Sequence, residues 1–220
     1  LLRVSKPSNT SVPRPAQEDL RRLADVVEEF NEFKVVLLGD FMLDQQIRGD
    51  AERLSPEAPV PVLRMSSRQD VTSNPGGASN VAGCLRVLGA QVFCVGVRGA
   101  DDEGDVLCAA LTESGCNVDG LLVDEERPTT LKQSLIGLAQ HRHPQKMFRL
   151  DFESRAPLAA TMEQQLLDAL ARALDGASVL CIEDYAKGVC SEAVCASAIR
   201  MARDQGVRVL VDPALLKCYK

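Results

Sequence analysis

The sequence predicts an α/β fold: a mostly parallel central sheet covered by helices on both faces, with a small β-lid beside it. Three observations carry this. Short continuous apolar runs such as Lys34-Val35-Val36-Leu37-Leu38-Gly39 read as strands buried on both faces. Between these runs lie segments with apolar residues at helical spacing, and such alternation implies parallel connections. Two stretches, at about 44–73 and 129–153, break the rhythm with short β-type pieces.

In chain order, residues 1–14 are polar and proline-rich, which predicts a loose arm. Residues 16–30 read as a helix with Leu20, Leu23, Val26, Val27 and Phe30 on one face. The strand at 34–39 follows, then the first excursion, whose Pro56, Pro59 and Pro61 argue against a helix. Asn74-Pro75-Gly76-Gly77-Ala78-Ser79-Asn80 then opens a helix over 77–89. Strand 91–97, helix 103–114 and strand 119–123 continue the alternation. A hairpin is expected from Thr129 to Leu138 and Lys146 to Phe152, with a polar tip near His141 to Gln145. Helix 161–174, strand 178–182, helix 191–204 and strand 207–211 complete the series. The two excursions are expected either to form a lid over the sheet edge or to be ordinary surface hairpins.

A chain of 220 residues, 45% hydrophobic, can bury a sizeable core, and its apolar runs are too short to span a bilayer. The net charge of −6 argues against general binding to nucleic acid or anionic membrane. An anionic ligand would need local positive potential, and His141, Arg142, His143, Lys146 and Arg149 crowd one short segment. The eight cysteines sit mostly in apolar patterns without zinc-knuckle spacing, so reduced, buried thiols in a cytoplasmic protein are expected.

Candidate site residues gather at the carboxyl ends of strands, where open α/β sheets bind ligands. Adjacent Gly76 and Gly77 permit close backbone approach, and Asn80 offers a donor and an acceptor at a helix start. Asp44 can accept hydrogen bonds from a sugar diol, whereas Asp40 reads better as a turn or capping residue. Arg149 and Asp151 share a strand face opposite the arm that carries Lys132. They are either a surface ion pair or, if they face the sheet edge, part of the site. Asp184 and Lys187 follow strand 178–182, and Asp212 ends strand 207–211.

These segments resemble the ribokinase-like (PfkB) carbohydrate kinases, and within them the D-glycero-β-D-manno-heptose-7-phosphate kinase branch. The resemblance rests on Gly39-Asp40-Phe41-Met42-Leu43-Asp44, on Arg53 through Val62 (Arg-Leu-Ser-Pro-Glu-Ala-Pro-Val-Pro-Val), and on Pro75-Gly76-Gly77-Ala78-Ser79-Asn80. It continues through Pro128-Thr129-Thr130 with Lys132, Arg149-Leu150-Asp151-Phe152-Glu153, Asp184-Tyr185-Ala186-Lys187-Gly188 and Val211-Asp212-Pro213. The Ser-Pro-Glu-Ala-Pro-Val-Pro and Asp-Tyr-Ala-Lys-Gly segments carry the branch; paired glycines before asparagine carry only the wider family.

The resemblance implies a three-layer ribokinase-like sandwich, with residues 1–30 an arm and helix and 31–220 the N-terminal portion of the kinase domain. It implies transfer of the ATP γ-phosphoryl group, with Mg2+, to the anomeric hydroxyl of heptose 7-phosphate, in the making of ADP-heptose for lipopolysaccharide core. Asp44, Gly76, Gly77 and Asn80 would hold the sugar; Lys132, Arg149 and Asp151 would come from the lid. Asp184 and Lys187 would line the cleft, Asp212 would stand on the nucleotide side, and a homodimer through the lid is expected. The Gly-Ala-Gly-Asp stretch with the catalytic base does not occur here, so the base and the C-terminal part of the fold are expected downstream of Lys220. Ala214 and Ser134 stand where the branch usually has lysine and arginine. The alternatives are a kinase of another sugar or nucleoside, or a non-catalytic sugar-phosphate-binding remnant.

Overall fold

The computed structural model describes residues 17–28, 33–138, 143–215 and 219. Helix α1 (Gln17–Glu28) precedes strand β1 (Lys34–Gly39), followed by β2 (Phe41–Leu54), β3 (Pro61–Arg64), β4 (Val71–Gly77) and α2 (Ala78–Val87). Then come β5 (Gln91–Gly99), α3 (Asp102–Glu113), β6 (Asn117–Asp124), β7 (Thr130–Leu138) and β8 (Gln145–Phe152). The final elements are α4 (Ala160–Leu174), β9 (Val179–Glu183), α5 (Glu192–Asp204) and β10 (Arg208–Asp212).

The central sheet has the order β10-β9-β1-β5-β6, and all its pairs are parallel. Because side chains alternate across a strand, β1 feeds two cores at once. Val36 and Leu38 pack with Leu166, Leu170 and Ala198 of α4 and α5. Val35 and Leu37 pack with Ala82 of α2 and Leu107 and Leu111 of α3. This is the three-layer arrangement that the alternating pattern predicts. Local signals fix the helix starts: Asp101 accepts from the Gly104 amide at 2.9 Å, and Ser191 from Val194 at 3.2 Å.

The lid is a second sheet of order β3-β2-β7-β8, with β4 also paired to β2. Its first excursion is longer than the expected 44–73, running from Phe41 to Gly77. Phe41, Met42 and Leu43 are at most 2% exposed, so the base of the lid is rooted in the core rather than laid upon it. The hairpin strands fall where expected. Gln145 already belongs to β8, and residues 141–142 of the expected tip lie outside the described residues, as do the arm 1–14 and Phe30.

Helix α1 forms but buries none of its side chains; its apolar face, Leu20, Leu23, Val26 and Val27, stays exposed. The seven described cysteines are free, with Cys94, Cys116 and Cys195 buried. Cys84 departs from the expected burial because it sits on the outer face of α2. No described helix is long and apolar enough to cross a membrane.

Candidate functional site

Cross-strand partners share a face of a sheet, so the lid's register sorts its side chains into rows. Asn74, Asp44, Lys132 and Asp151 form one row across β4, β2, β7 and β8. Thr72, Gln46, Ser134 and Arg149 form the next. The opposite face carries Leu43, Leu131 and Phe152, then Gln45, Gln133 and Leu150, then Ile47, Leu135 and Phe148, so it is largely apolar with one hydrogen-bonded glutamine pair across it. The lid is therefore amphipathic, with every lid residue singled out from the sequence on its polar face.

That face turns toward the carboxyl rim of the central sheet. The Lys132 ammonium lies 5.8 Å from the ring centroid of Tyr185, in the loop after β9. Burial pushes the Tyr185 phenol up, and the carboxylates of Glu183, Asp212 and Asp44 add to the effect. Arg149 is held above its ordinary range by Asp151 first, with Glu153 and Asp44 contributing. Groups from β2, β8, β9 and β10 thus share one electrostatic neighbourhood.

The paired glycines close the near side. A Cβ on Gly76 would lie 2.6 Å from the Asp44 carboxylate, so glycine here makes room for that acid. Gly77 has φ 53 and leads into α2, whose first amide, Ala78, donates to the Asp40 carbonyl at 3.2 Å. The Met42 amide donates to the buried Ser79 hydroxyl at 3.1 Å, fastening α2 to the lid base. Asn80 is exposed in the first turn of α2 and, with Asn74, borders an open cleft of about 710 Å³ that continues along α2 past Cys84 and Val87 and is not lined by Asp44, Lys132, Arg149 or Asp151.

The remaining residues divide by whether the fold already uses them. The side chains of Asp44, Asn80, Lys132 and Asp212 make no hydrogen bond among the described residues. Arg149 and Asp151 pair with each other through two contacts of 2.8 Å, with the Arg149 side chain 55% exposed. Lys187 differs: its ammonium pairs with Glu153 at 2.5 Å, and both side chains are nearly buried. Arg155 takes the other Glu153 oxygen at 2.8 Å. Lys187 therefore ties the end of β8 to the rim loop instead of standing free in the cleft. Asp184 accepts from the Tyr219 hydroxyl at 3.0 Å and from the Ala186 amide at 2.9 Å. Asp40 takes the capping role expected of it, accepting from the Tyr185 amide at 2.8 Å.

Sequence reasoning passed over Asn74, Tyr185 and Glu183 as site residues. Asn74 was recoverable, because a strand running back into the glycines must place it beside Asp44. Glu183 is the register partner of Asp212, and its carboxyl is pushed up by burial and by that neighbouring charge.

The chain matches the pfkB family carbohydrate kinase profile over residues 32–220. It is 43% identical over 180 residues to the bifunctional protein HldE of Rhodopseudomonas palustris (strain HaA2), covering 81% of this chain and 35% of that protein. The HldE protein of Citrifermentans bemidjiense is 37% identical over 193 residues, covering 88% of this chain and 38% of its own length. The chain thus spans a little over a third of the curated relatives it matches. Among solved structures, Escherichia coli phosphofructokinase-2 in complex with fructose-6-phosphate superposes with TM-score 0.61 at 20% identity, covering 83% of this chain and 55% of that one. The 2-dehydro-3-deoxygluconokinase of Thermotoga maritima gives TM-score 0.58 at 18% identity, covering 83% and 51%. These structural likenesses establish a ribokinase-like fold.

Proposed function

Because the chain belongs to the pfkB family of carbohydrate kinases, we propose that it forms the sugar-binding part of an ATP-dependent kinase for D-glycero-D-manno-heptose 7-phosphate, phosphorylating its anomeric hydroxyl. The observation that carries the proposal is the polar row Asn74, Asp44, Lys132 and Asp151, turned toward the rim loop, with no hydrogen bond to the Asp44 or Lys132 side chain among the described residues. A carboxylate and an ammonium side by side suit a ligand that presents both hydroxyls and a phosphate. Asp44 would accept from a sugar diol, and Asn80 would donate and accept beside it. Arg149, an exposed cation of the face, would meet the 7-phosphate.

The rim also fits a magnesium nucleotide. Glu183 and Asp212 stand side by side on adjacent strands with no cation against them among the described residues. Such a pair of carboxylates suits Mg2+ that keeps most of its waters. ATP supplies the phosphoryl group when bound. This segment's share of the reaction is to fix the sugar in place and keep water out, which is much of what phosphoryl transfer asks of a protein. The apolar lid face, with Phe148 69% and Phe152 50% exposed, is the surface through which two copies would pair.

Calorimetric titration with heptose 7-phosphate, unphosphorylated heptose, fructose 6-phosphate and ribose tests the reading. Heptose 7-phosphate is expected to bind at least about tenfold more tightly than the others, a difference of about 1.4 kcal/mol. Preference for another sugar would make the chain a kinase of different specificity, and binding of none would refute the proposal.

A further inference from the structure

Asp40 stands at the end of β1 with 1% of its surface exposed. Its Oδ2 accepts from the amides of Tyr185 and Lys187 at 2.8 and 3.1 Å, and its Oδ1 from Val189 at 3.3 Å. Its own amide donates to the Glu183 carbonyl at 3.0 Å, and its carbonyl receives the first amide of α2. One residue therefore joins the rim loop, the root of the lid and the start of the glycine-led helix.

The loop it holds is wound tightly. Ala186 has φ 56, a left-handed conformation that costs an alanine energy, and Gly188 follows at φ 92. Strain of this kind persists where surrounding contacts over-determine it, and it concentrates at ligand sites. The outcome of the winding is the position of Tyr185: half-buried, under the Lys132 ammonium, with Asp44 nearby. Its hydroxyl has no hydrogen-bond partner among the described residues. Burial and three neighbouring carboxylates keep that hydroxyl protonated, so it is a donor.

We infer that Tyr185 is a specificity-determining residue that forms the floor of the sugar site, with Asp40 as the positioning residue that sets its height beneath the lid. The inference rests on the proposed function. A neutral phenol offers a pyranose ring an aromatic face for its C–H groups and one donor for a ring hydroxyl, between the acceptor Asp44 and the cation Lys132. Asp40 touches no ligand and acts through Tyr185.

The experiment uses the full chain and two readouts. Asp40→Asn sets an NH2 group against the amide donors of the loop. Hydrogen exchange at 185, 187 and 189 is expected to rise about tenfold or more while the β1 amides stay protected. In titrations with heptose 7-phosphate, Tyr185→Ala and Asp40→Asn are each expected to weaken binding about tenfold or more. The double variant should be no weaker than Tyr185→Ala alone, since one residue works through the other. Tyr185→Phe should lose less than Tyr185→Ala. Should Asp40→Asn fail to fold, Tyr185→Ala, a loop substitution, decides the matter by itself. If the wild type binds no sugar phosphate, the proposed function and this role fall together. If the wild type binds and Tyr185→Ala binds equally well, or losses in the double variant add fully, only this inference is overturned.

Discussion

Two adjacent glycines should answer differently to the same substitution. In Gly76→Ala the new methyl would sit 2.6 Å from Asp44 Oδ2 and 2.7 Å from its Cγ, while the backbone at 76 needs no positive φ. The carboxylate belongs to an exposed side chain, so it can swing aside by somewhat under an ångström at little cost to folding. Reduced freedom of the unfolded chain offsets that cost by about 0.4–1 kcal/mol, leaving stability close to wild type. Binding should suffer, because a displaced carboxylate loses a charged hydrogen bond of about 1.5–3 kcal/mol, or about 10- to 100-fold in affinity. Gly77→Ala reverses the pattern. Its φ of 53 and a methyl 2.5 Å from the Met42 side chain place the damage in the backbone and core. A loss of about 1–3 kcal/mol in folding stability is expected. Urea denaturation and calorimetric titration of both variants separate the two effects. Wild-type affinity for heptose 7-phosphate in Gly76→Ala, or equal stability losses in the two variants, would refute the reasoning.

Arg149→Ala should weaken binding of phosphorylated heptose more than that of unphosphorylated heptose, and equal losses would count against its phosphate role; because its pairing with Asp151 is exposed, folding stability should stay close to wild type. Glu153 is held below its ordinary range chiefly by Lys187, so its stabilising contribution is present above the unfolded carboxyl pKa of about 4.3 and is lost as pH falls through the folded value. Thermal melts of wild type and Glu153→Gln should accordingly differ most near neutral pH and converge in acid; a constant gap would contradict this. Leu166→Ala, at a site with no exposed surface, should cost about 2–5 kcal/mol in denaturant titration without altering the ligand preference of the remaining folded protein.

The strands of the central sheet were legible because each is a short apolar run with a polar end, and the helices because their apolar spacing is regular. The start of the lid was not, since Phe41-Met42-Leu43 looks like more of the same buried strand. What separates it is long-range: the Asp40 amide bonds to Glu183, and β2 then takes its partners from β4 and β7. Asp44 was singled out as an acid following the first strand and Lys132 as a cation in the hairpin arm, and the register of β2 with β7 makes them immediate neighbours. The pairing of Lys187 with Glu153 could not be read, because a partner 34 positions away gives no periodic signal. Tyr185 was hidden for a similar reason: its placement depends on a buried acid contributed by another strand.

Hydrogen exchange across the whole chain, with and without saturating heptose 7-phosphate, examines the central claim most directly. Slowed exchange is predicted together in 43–46, 130–133, 149–152 and 184–188, the segments that carry the polar lid face and the rim loop. Protection confined to the outer face of α2 or to the apolar lid face, with the rim loop unaffected, would contradict it.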